Sequence, residues 1–213
     1  MKSAAADASV LTDALLREIA ARGSTRKFAA NTVIITENDV ADSLYIILSG
    51  RVKVYAGNEA GKEVIINTLG PGEYLGEVTL DGGVRSASVM TLEPTTCAIV
   101  TGESLREFIV AHPDFALHLI RNLSRRLRAL TGSVKSIALE DVYGRVVGLL
   151  QRLSTPSGAH RVIEQKLTQQ DIAEHVGSSR EMVSRIFKEL TTGGYVSVDG
   201  GRITILKTPP AAW

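Results

Sequence analysis

A single cysteine, Cys97, is all the thiol this sequence has. One thiol excludes an internal disulfide framework and any iron–sulfur cluster ligated by cysteines of one chain. An excess of charge of one sign is also missing. The formal net charge is +1, so bulk electrostatics point neither to nucleic acid nor to a membrane surface, and any nucleic-acid argument must come from local residues. No apolar run approaches the roughly 20 residues of a membrane-spanning helix. The Ala-rich start lacks a signal peptide's charged-then-apolar build, so a soluble, cytoplasmic protein with no membrane partner is expected. No nucleophile–base pair, metal-ligand cluster or catalytic dyad can be picked out, and neither an enzyme nor a metal site is expected. The 213 residues suffice for one large domain or two small ones with proper cores.

What is present is organised around the stretch from Pro113 to about Ala138. Ile120, Leu123, Leu127, Leu130, Val134 and Ile137 follow at spacings of three, four, three, four, three, the alternation of a coiled-coil seam. At about 1.5 Å per residue this helix would run roughly 39 Å. Pro113 suits a first helical position, where its missing N–H is no loss. Phe115 and Leu119 form a second stripe directed at the protein's own neighbouring domain, and Arg121, Arg125, Arg126 and Arg128 keep the outer faces in water. A core helix of one domain is the alternative, but core helices usually show a wider apolar face, which favours a seam between two copies.

Before this helix the period is that of strands. Thr12 can cap a short first helix carrying Leu15, Leu16 and Ile19, with Gly23 ending it in the left-handed conformation. Residues 43–48 and 51–55 flank Ser49-Gly50 as a tight hairpin. Residues 64–69 run into Gly70-Pro71-Gly72, and 87–92 and 96–100 supply two more strands, one holding Cys97 in the core. Many short strands at this rhythm indicate a sandwich, jelly roll or barrel. Leu105, Phe108 and Ile109 mark a short helix that leads into the long one.

After it the pattern is helical again. Asp141 can cap a helix with Val142, Val146, Leu149, Leu150 and Leu153 inward, followed by a surface loop over 154–160. Thr168 and Asp171 make a capping-box-like start, Ile172 and Val176 form an apolar face, and Ala173 is small where another helix could cross. Gly177 breaks that helix and Ser178 or Ser179 caps the next. There Val183, Ile186, Phe187 and Leu190 face inward, and Arg180, Glu181, Ser184, Arg185 and Lys188 share the opposite face. A hairpin of 195–198 and 202–206 trails as a wing. This is a helix-turn-helix with a polar reading face. An arginine fork can bond guanine O6 and N7, and a carboxylate can accept from cytosine N4. Glu181 and Arg185 could instead be an ordinary i,i+4 surface pair.

Within the β region, Gly72-Glu73-Tyr74-Leu75-Gly76-Glu77 is followed after a turn by Arg85-Ser86-Ala87-Ser88-Val89. Gly76 lets backbone N–H groups approach a ligand closely, Arg85 offers a positive fork, Ser86 a hydroxyl and Glu77 an acceptor. A phosphate beside a sugar fits this set, and a solvated loop fits it equally well.

The order of β sandwich, Gly-Glu then Arg-Ser, long helix and winged helix-turn-helix resembles the Crp/Fnr family of bacterial transcription regulators, from Leu15 to about Leu206. Gly-Glu followed by Arg-Ser-Ala is similar to the phosphate-binding cassette of cyclic-nucleotide-binding domains. Residues 44–50 match the family's central hairpin, and 177–185 are similar to the recognition segment of its cAMP-responsive branch. The resemblance implies an α+β fold: an N-terminal β jelly-roll cyclic-nucleotide-binding domain (1–112), a dimerisation helix (113–138) and a C-terminal winged helix-turn-helix (139–213). It implies that Gly76, Glu77, Arg85, Ser86 and Thr131 bind the effector, with Arg85 and Ser86 on the cyclic phosphate and Glu77 on the ribose 2′-hydroxyl. It places Ser179, Arg180, Glu181, Ser184 and Arg185 at the DNA. The implied partners are a palindromic TGTGA-like double-stranded site, a second copy of the chain and RNA polymerase.

Two departures stand out. The turn from Val78 to Val84 is a residue or more shorter than is common in such cassettes. Leu130-Thr131 align where cAMP-responsive relatives carry a Thr-Ser pair. The oxygen-sensing branch needs a cysteine cluster that is absent, and His112, His118, His160 and His175 sit where surface or cap roles suffice rather than haem ligation. The resemblance to the cAMP-responsive branch implies cAMP as the effector; cGMP, cyclic di-GMP, another small anion or none are the alternatives. A regulatory subunit that binds cyclic nucleotide and acts on a protein is the reading from another class.

Overall fold

The computed structural model describes residues 14–59, 61 and 63–210. Thr12 and the tail beyond residue 210 lie outside them. The chain divides into two compact units, Met1–Asn58 with Ile65–Leu127 and Glu59–Val64 with Arg128–Trp213, so the division falls inside the long helix.

The first unit opens with a helix over 14–21 (α1). Eight strands follow: β1 (Ser24–Phe28), β2 (Val33–Ile35), β3 (Ser43–Ser49), β4 (Val52–Gly57), β5 (Glu63–Leu69), β6 (Tyr74–Leu75), β7 (Ser88–Thr91) and β8 (Thr95–Thr101). They form two four-stranded sheets, ordered β1-β8-β3-β6 and β2-β7-β4-β5. The period of two sorts the core. Ile47 and Cys97 join Ile35, Val52, Leu75 and Val89 in one cluster. Their neighbours Leu44, Ile46, Ala98 and Val100 join Leu16, Ile19, Leu105, Phe108, Phe115 and Leu119 from helices in another. Burial pushes the Cys97 thiol up to about 11, so it is inert packing.

Two expectations about turns are corrected. The tight hairpin expected of 43–48 and 51–55 around Ser49-Gly50 does not form: β3 and β4 belong to different sheets and do not pair. Gly50 sits at φ 83°, and a Cβ there would lie 2.5 Å from Thr95 Oγ1, so the chain turns a corner from one sheet to the other. Gly23 is not among the glycines of positive φ. Its lack of a side chain serves a close approach instead, since a Cβ would meet the Ile99 carbonyl oxygen at 2.5 Å.

Helix α2 (Gly102–Ala111) is capped by Thr101, which accepts from the Ser104 N–H at 3.2 Å. Helix α3 (Pro113–Leu139) buries Phe115 and Leu119, the stripe expected to pack on its own domain.

The second unit holds α4 (Val142–Leu153), β9 (Thr155–Ser157), β10 (His160–Ile163), α5 (Gln169–Val176), α6 (Arg180–Thr192), β11 (Val196–Asp199) and β12 (Arg202–Ile205). Asp141 caps α4 by accepting from the Gly144 N–H at 2.7 Å. The expected loop over 154–160 is in fact a hairpin: β9 pairs with β10, and the sheet runs β11-β12-β10-β9. Arg161 steadies its base by donating to the Ser154 hydroxyl and carbonyl. Val146, Leu150, Ile172, Ala173, Val183, Phe187, Leu190 and Ile203 share one core. Among the described residues no helix is long and apolar enough to cross a membrane.

Candidate effector site and nucleic-acid interface

The segment from Gly76 to Ser86 folds as a tight cassette. Gly76, at φ 88°, precedes a 3₁₀ turn over Glu77–Leu80. A Cβ on Gly76 would stand 2.6 Å from Arg85 Nη1 and 2.7 Å from the Ser43 carbonyl oxygen, so glycine is what lets the turn close over the guanidinium. Arg85 is 5% exposed. Its Nη1 donates to the carbonyls of Ser43 (2.9 Å) and Gly76 (3.5 Å), and Nη2 to Ser43 Oγ (3.2 Å) and Asp42 Oδ1 (3.4 Å). The fork therefore ties the cassette to the start of β3, while the adjacent Ser86 is exposed. Thr79 donates to the Ala41 carbonyl, and Arg106 of α2 donates to the Thr79 carbonyl, fixing the turn from behind.

Glu77 is not left as an open acceptor. Arg126 of α3 donates to Glu77 Oε1 and to the Tyr74 carbonyl, and its guanidinium lies over the Tyr74 ring. Among the described residues Glu77 Oε2 is buried with no hydrogen-bond partner, an acceptor held back from water. Arg126 was expected to keep an outer face wet; it is drawn in because Glu77 offers a charged partner beside the helix. His118, expected at the surface, is half-buried between Tyr74 and Phe115, with centroid distances of 5.7 and 5.9 Å. Burial, then the positive charges of Arg125 and Arg121, hold its imidazole below the usual histidine value.

On α3 the six seam residues all face outward on the single chain. Ile120, Leu123, Leu127, Leu130, Val134 and Ile137 are 44–66% exposed. Thr131, also exposed, stands beside Leu130.

The helix-turn-helix forms as its caps dictate. Thr168 accepts from the Asp171 N–H, and Asp171 accepts from the Thr168 N–H, a closed capping box. Gly177 ends α5 in the left-handed conformation at φ 65°, and the Ser179 hydroxyl caps α6 by accepting from the Met182 N–H at 3.2 Å. Val183, Ile186, Phe187 and Leu190 are buried, whereas Arg180, Glu181, Ser184, Arg185 and Lys188 are exposed on the other side. Its own backbone N–H, then the Ser179 hydroxyl, hold the Glu181 carboxyl below the usual carboxylate range, so it is presented as an anion.

Asp42, Ser43 and Arg126 were missed in the sequence. Asp42 and Ser43 lie some 40 residues before Arg85 with no motif between them. Arg126 looked like one more solvated charge on a long helix.

These features define a β domain with a cassette suited to a small anionic ligand, and a domain with a helix-turn-helix reading face. Residues 25–112 match the cyclic nucleotide-binding domain family, and residues 144–209 match the Crp-like helix-turn-helix domain family. The chain belongs to the Crp/Fnr family of transcription regulators. It is 32% identical over 191 residues to the cAMP-activated global transcriptional regulator CRP of Pasteurella multocida, covering 85% of this chain and 90% of that one. It is 31% identical over 183 residues to a CRP-like cAMP-activated global transcriptional regulator of Mycobacterium tuberculosis, covering 84% and 82%. Among solved structures, the c-di-GMP-responsive global regulator CLP of Xanthomonas campestris superposes with a TM-score of 0.80 at 26% identity, covering 92% of this chain and 99% of that one.

Proposed function

We propose that the chain is a homodimeric, cytoplasmic transcription regulator that reads a palindromic, TGTGA-like DNA site under the control of a cyclic nucleotide, with cAMP favoured. The observation that carries the reading is α6. Five exposed polar or charged residues, Arg180, Glu181, Ser184, Arg185 and Lys188, are mounted on a helix whose other face is locked into the core. Arg180 and Arg185 are the proposed guanine readers and Glu181 the cytosine reader, with Ser179 and Ser184 on the backbone. Support for a dimer comes from the exposed seam of α3, because a soluble chain rarely leaves six large apolar residues aligned and uncovered.

The proposed effector lies on the Gly76–Ser86 cassette, with its phosphate at Arg85 and Ser86 and its ribose hydroxyl at Glu77. On binding, Arg85 exchanges its Ser43 and Asp42 partners for the phosphate. Thr131 is the proposed base contact, on the family likeness alone. The names of the curated relatives favour cAMP, while the likeness to CLP supports cyclic di-GMP as the second reading. RNA polymerase is the proposed protein partner.

Calorimetric titration of the purified protein with cAMP, cGMP and cyclic di-GMP tests the effector, and DNA affinity measured with and without each tests the control. A charge-assisted hydrogen bond is worth about 1.5–3 kcal/mol, so Arg85→Ala should weaken nucleotide binding by on the order of ten- to a hundredfold. Heat from none of the three ligands, or unchanged affinity in Arg85→Ala, removes the proposed site.

A further inference from the structure

Arg145 stands in the first turn of α4 and reaches two places at once. Its Nη1 donates to the Glu140 carbonyl at 2.8 Å, and its Nε donates to the Val176 carbonyl at 2.9 Å. Glu140 closes α3: its N–H bonds the Ser136 carbonyl at 2.9 Å, and its carboxylate accepts from the Ser136 hydroxyl. Val176 is the last residue of α5, after which Gly177 turns the chain toward Ser179 and the start of α6.

The final carbonyls of a helix have no partner within it and carry the negative end of its dipole. One guanidinium satisfies such a carbonyl at the end of the seam helix and another at the end of the first recognition-motif helix. A planar fork with donors on separate nitrogens holds both carbonyls in one fixed geometry, which a compact ammonium on a flexible stem does not set. The Val176 side chain is buried with Ile172 and Ala173 in the core shared with α6, so moving the Val176 carbonyl moves the turn that launches Arg180 and Glu181.

We infer that Arg145 is a positioning residue for DNA reading, setting the start of α6 against the end of α3 without touching DNA. This rests on the reading of α6 as the DNA-contacting helix. The half-site spacing that suits a dimer then depends in part on this clasp in each protomer.

The test uses the full chain, its Arg145→Ala and Arg145→Lys variants, and inverted repeats whose half-site spacing is stepped by one and two base pairs. The parent is expected to bind one spacing best. Arg145→Ala should weaken that site by on the order of tenfold and flatten the spacing preference, with the dependence on log salt unchanged because no phosphate contact is lost. Arg145→Lys should fall between the two, and it carries the test if the alanine variant does not fold. A salt slope lower by about one would mean that Arg145 binds phosphate directly and would overturn the inference. A lowered melting temperature with the spacing preference intact would reduce Arg145 to a stabilising residue and overturn it too. If the parent itself fails to bind any repeat, the DNA reading of α6 falls first.

Discussion

Leu130→Thr separates packing from control. Leu130 is 45% exposed on the single chain, so a seam has about half of the side chain left to cover. Full burial of a leucine contributes about 1.5–3 kcal/mol, which makes the uncovered share about 0.7–1.4 kcal/mol per protomer and about 1.4–2.7 kcal/mol per two-fold dimer. That equals the coupling free energy typical of allosteric proteins, about 1–3 kcal/mol. A ligand shifts an equilibrium only by its differential affinity for the two states, whereas an apolar seam residue stabilises the aligned dimer whether or not ligand is present. The parent should therefore bind DNA appreciably without effector and respond shallowly to it. Leu130→Thr should weaken effector-free DNA binding by on the order of ten- to a hundredfold and enlarge the nucleotide effect correspondingly. Fluorescence anisotropy with a labelled inverted repeat, at fixed salt, with and without saturating cAMP, reads both quantities. Equal effector-free affinity in parent and variant would refute the reasoning and leave Leu130 as packing alone.

Leu127, 65% exposed, sits mid-seam, and Leu127→Glu places facing charges in an apolar interface; sedimentation at micromolar concentration should show monomer, and a persistent dimer means the seam is assigned wrongly. Arg180→Ala should cost about 1–3 kcal/mol on the preferred site and relax one base position, while an equal loss on random DNA would mean a phosphate contact. His118 titrates below its usual value in the fold, so the unfolded chain takes up its proton first as pH falls below about 6.5. Stability is thus full above that pH and declines as pH drops toward the folded-state value; His118→Gln should flatten melting temperature against pH, and a variant as steep as the parent contradicts the assignment.

The helical parts were legible because their signals are local. Spacings of three and four put six large apolar residues on one outward face of α3, and Thr168, Asp171, Gly177 and Ser179 mark both ends of the turn by residue type alone. The corner at Gly50 was not legible. Two alternating runs around Ser-Gly read alike whether the strands pair or part, and the difference lies in partners distant in sequence, β8 and β6 for β3 and β7 and β5 for β4. Likewise the sequence named Glu77 and Arg85 as polar groups of one cassette but could not say what they hold here, since Arg126 and Ser43 reach them from 49 and 42 residues away. Only the fold closes such distances.

The most direct measurement is DNA affinity against half-site spacing. If the proposed two-fold dimer forms along α3, its two α6 helices should lie about one duplex turn apart, roughly 34 Å. Affinity for an inverted TGTGA-like repeat, measured with and without cAMP, should peak at one spacing and collapse when about five base pairs, half a turn, are inserted. Cyclic nucleotide should raise the peak. Binding indifferent to spacing, to repeat orientation and to nucleotide would contradict a dimer that reads DNA under effector control.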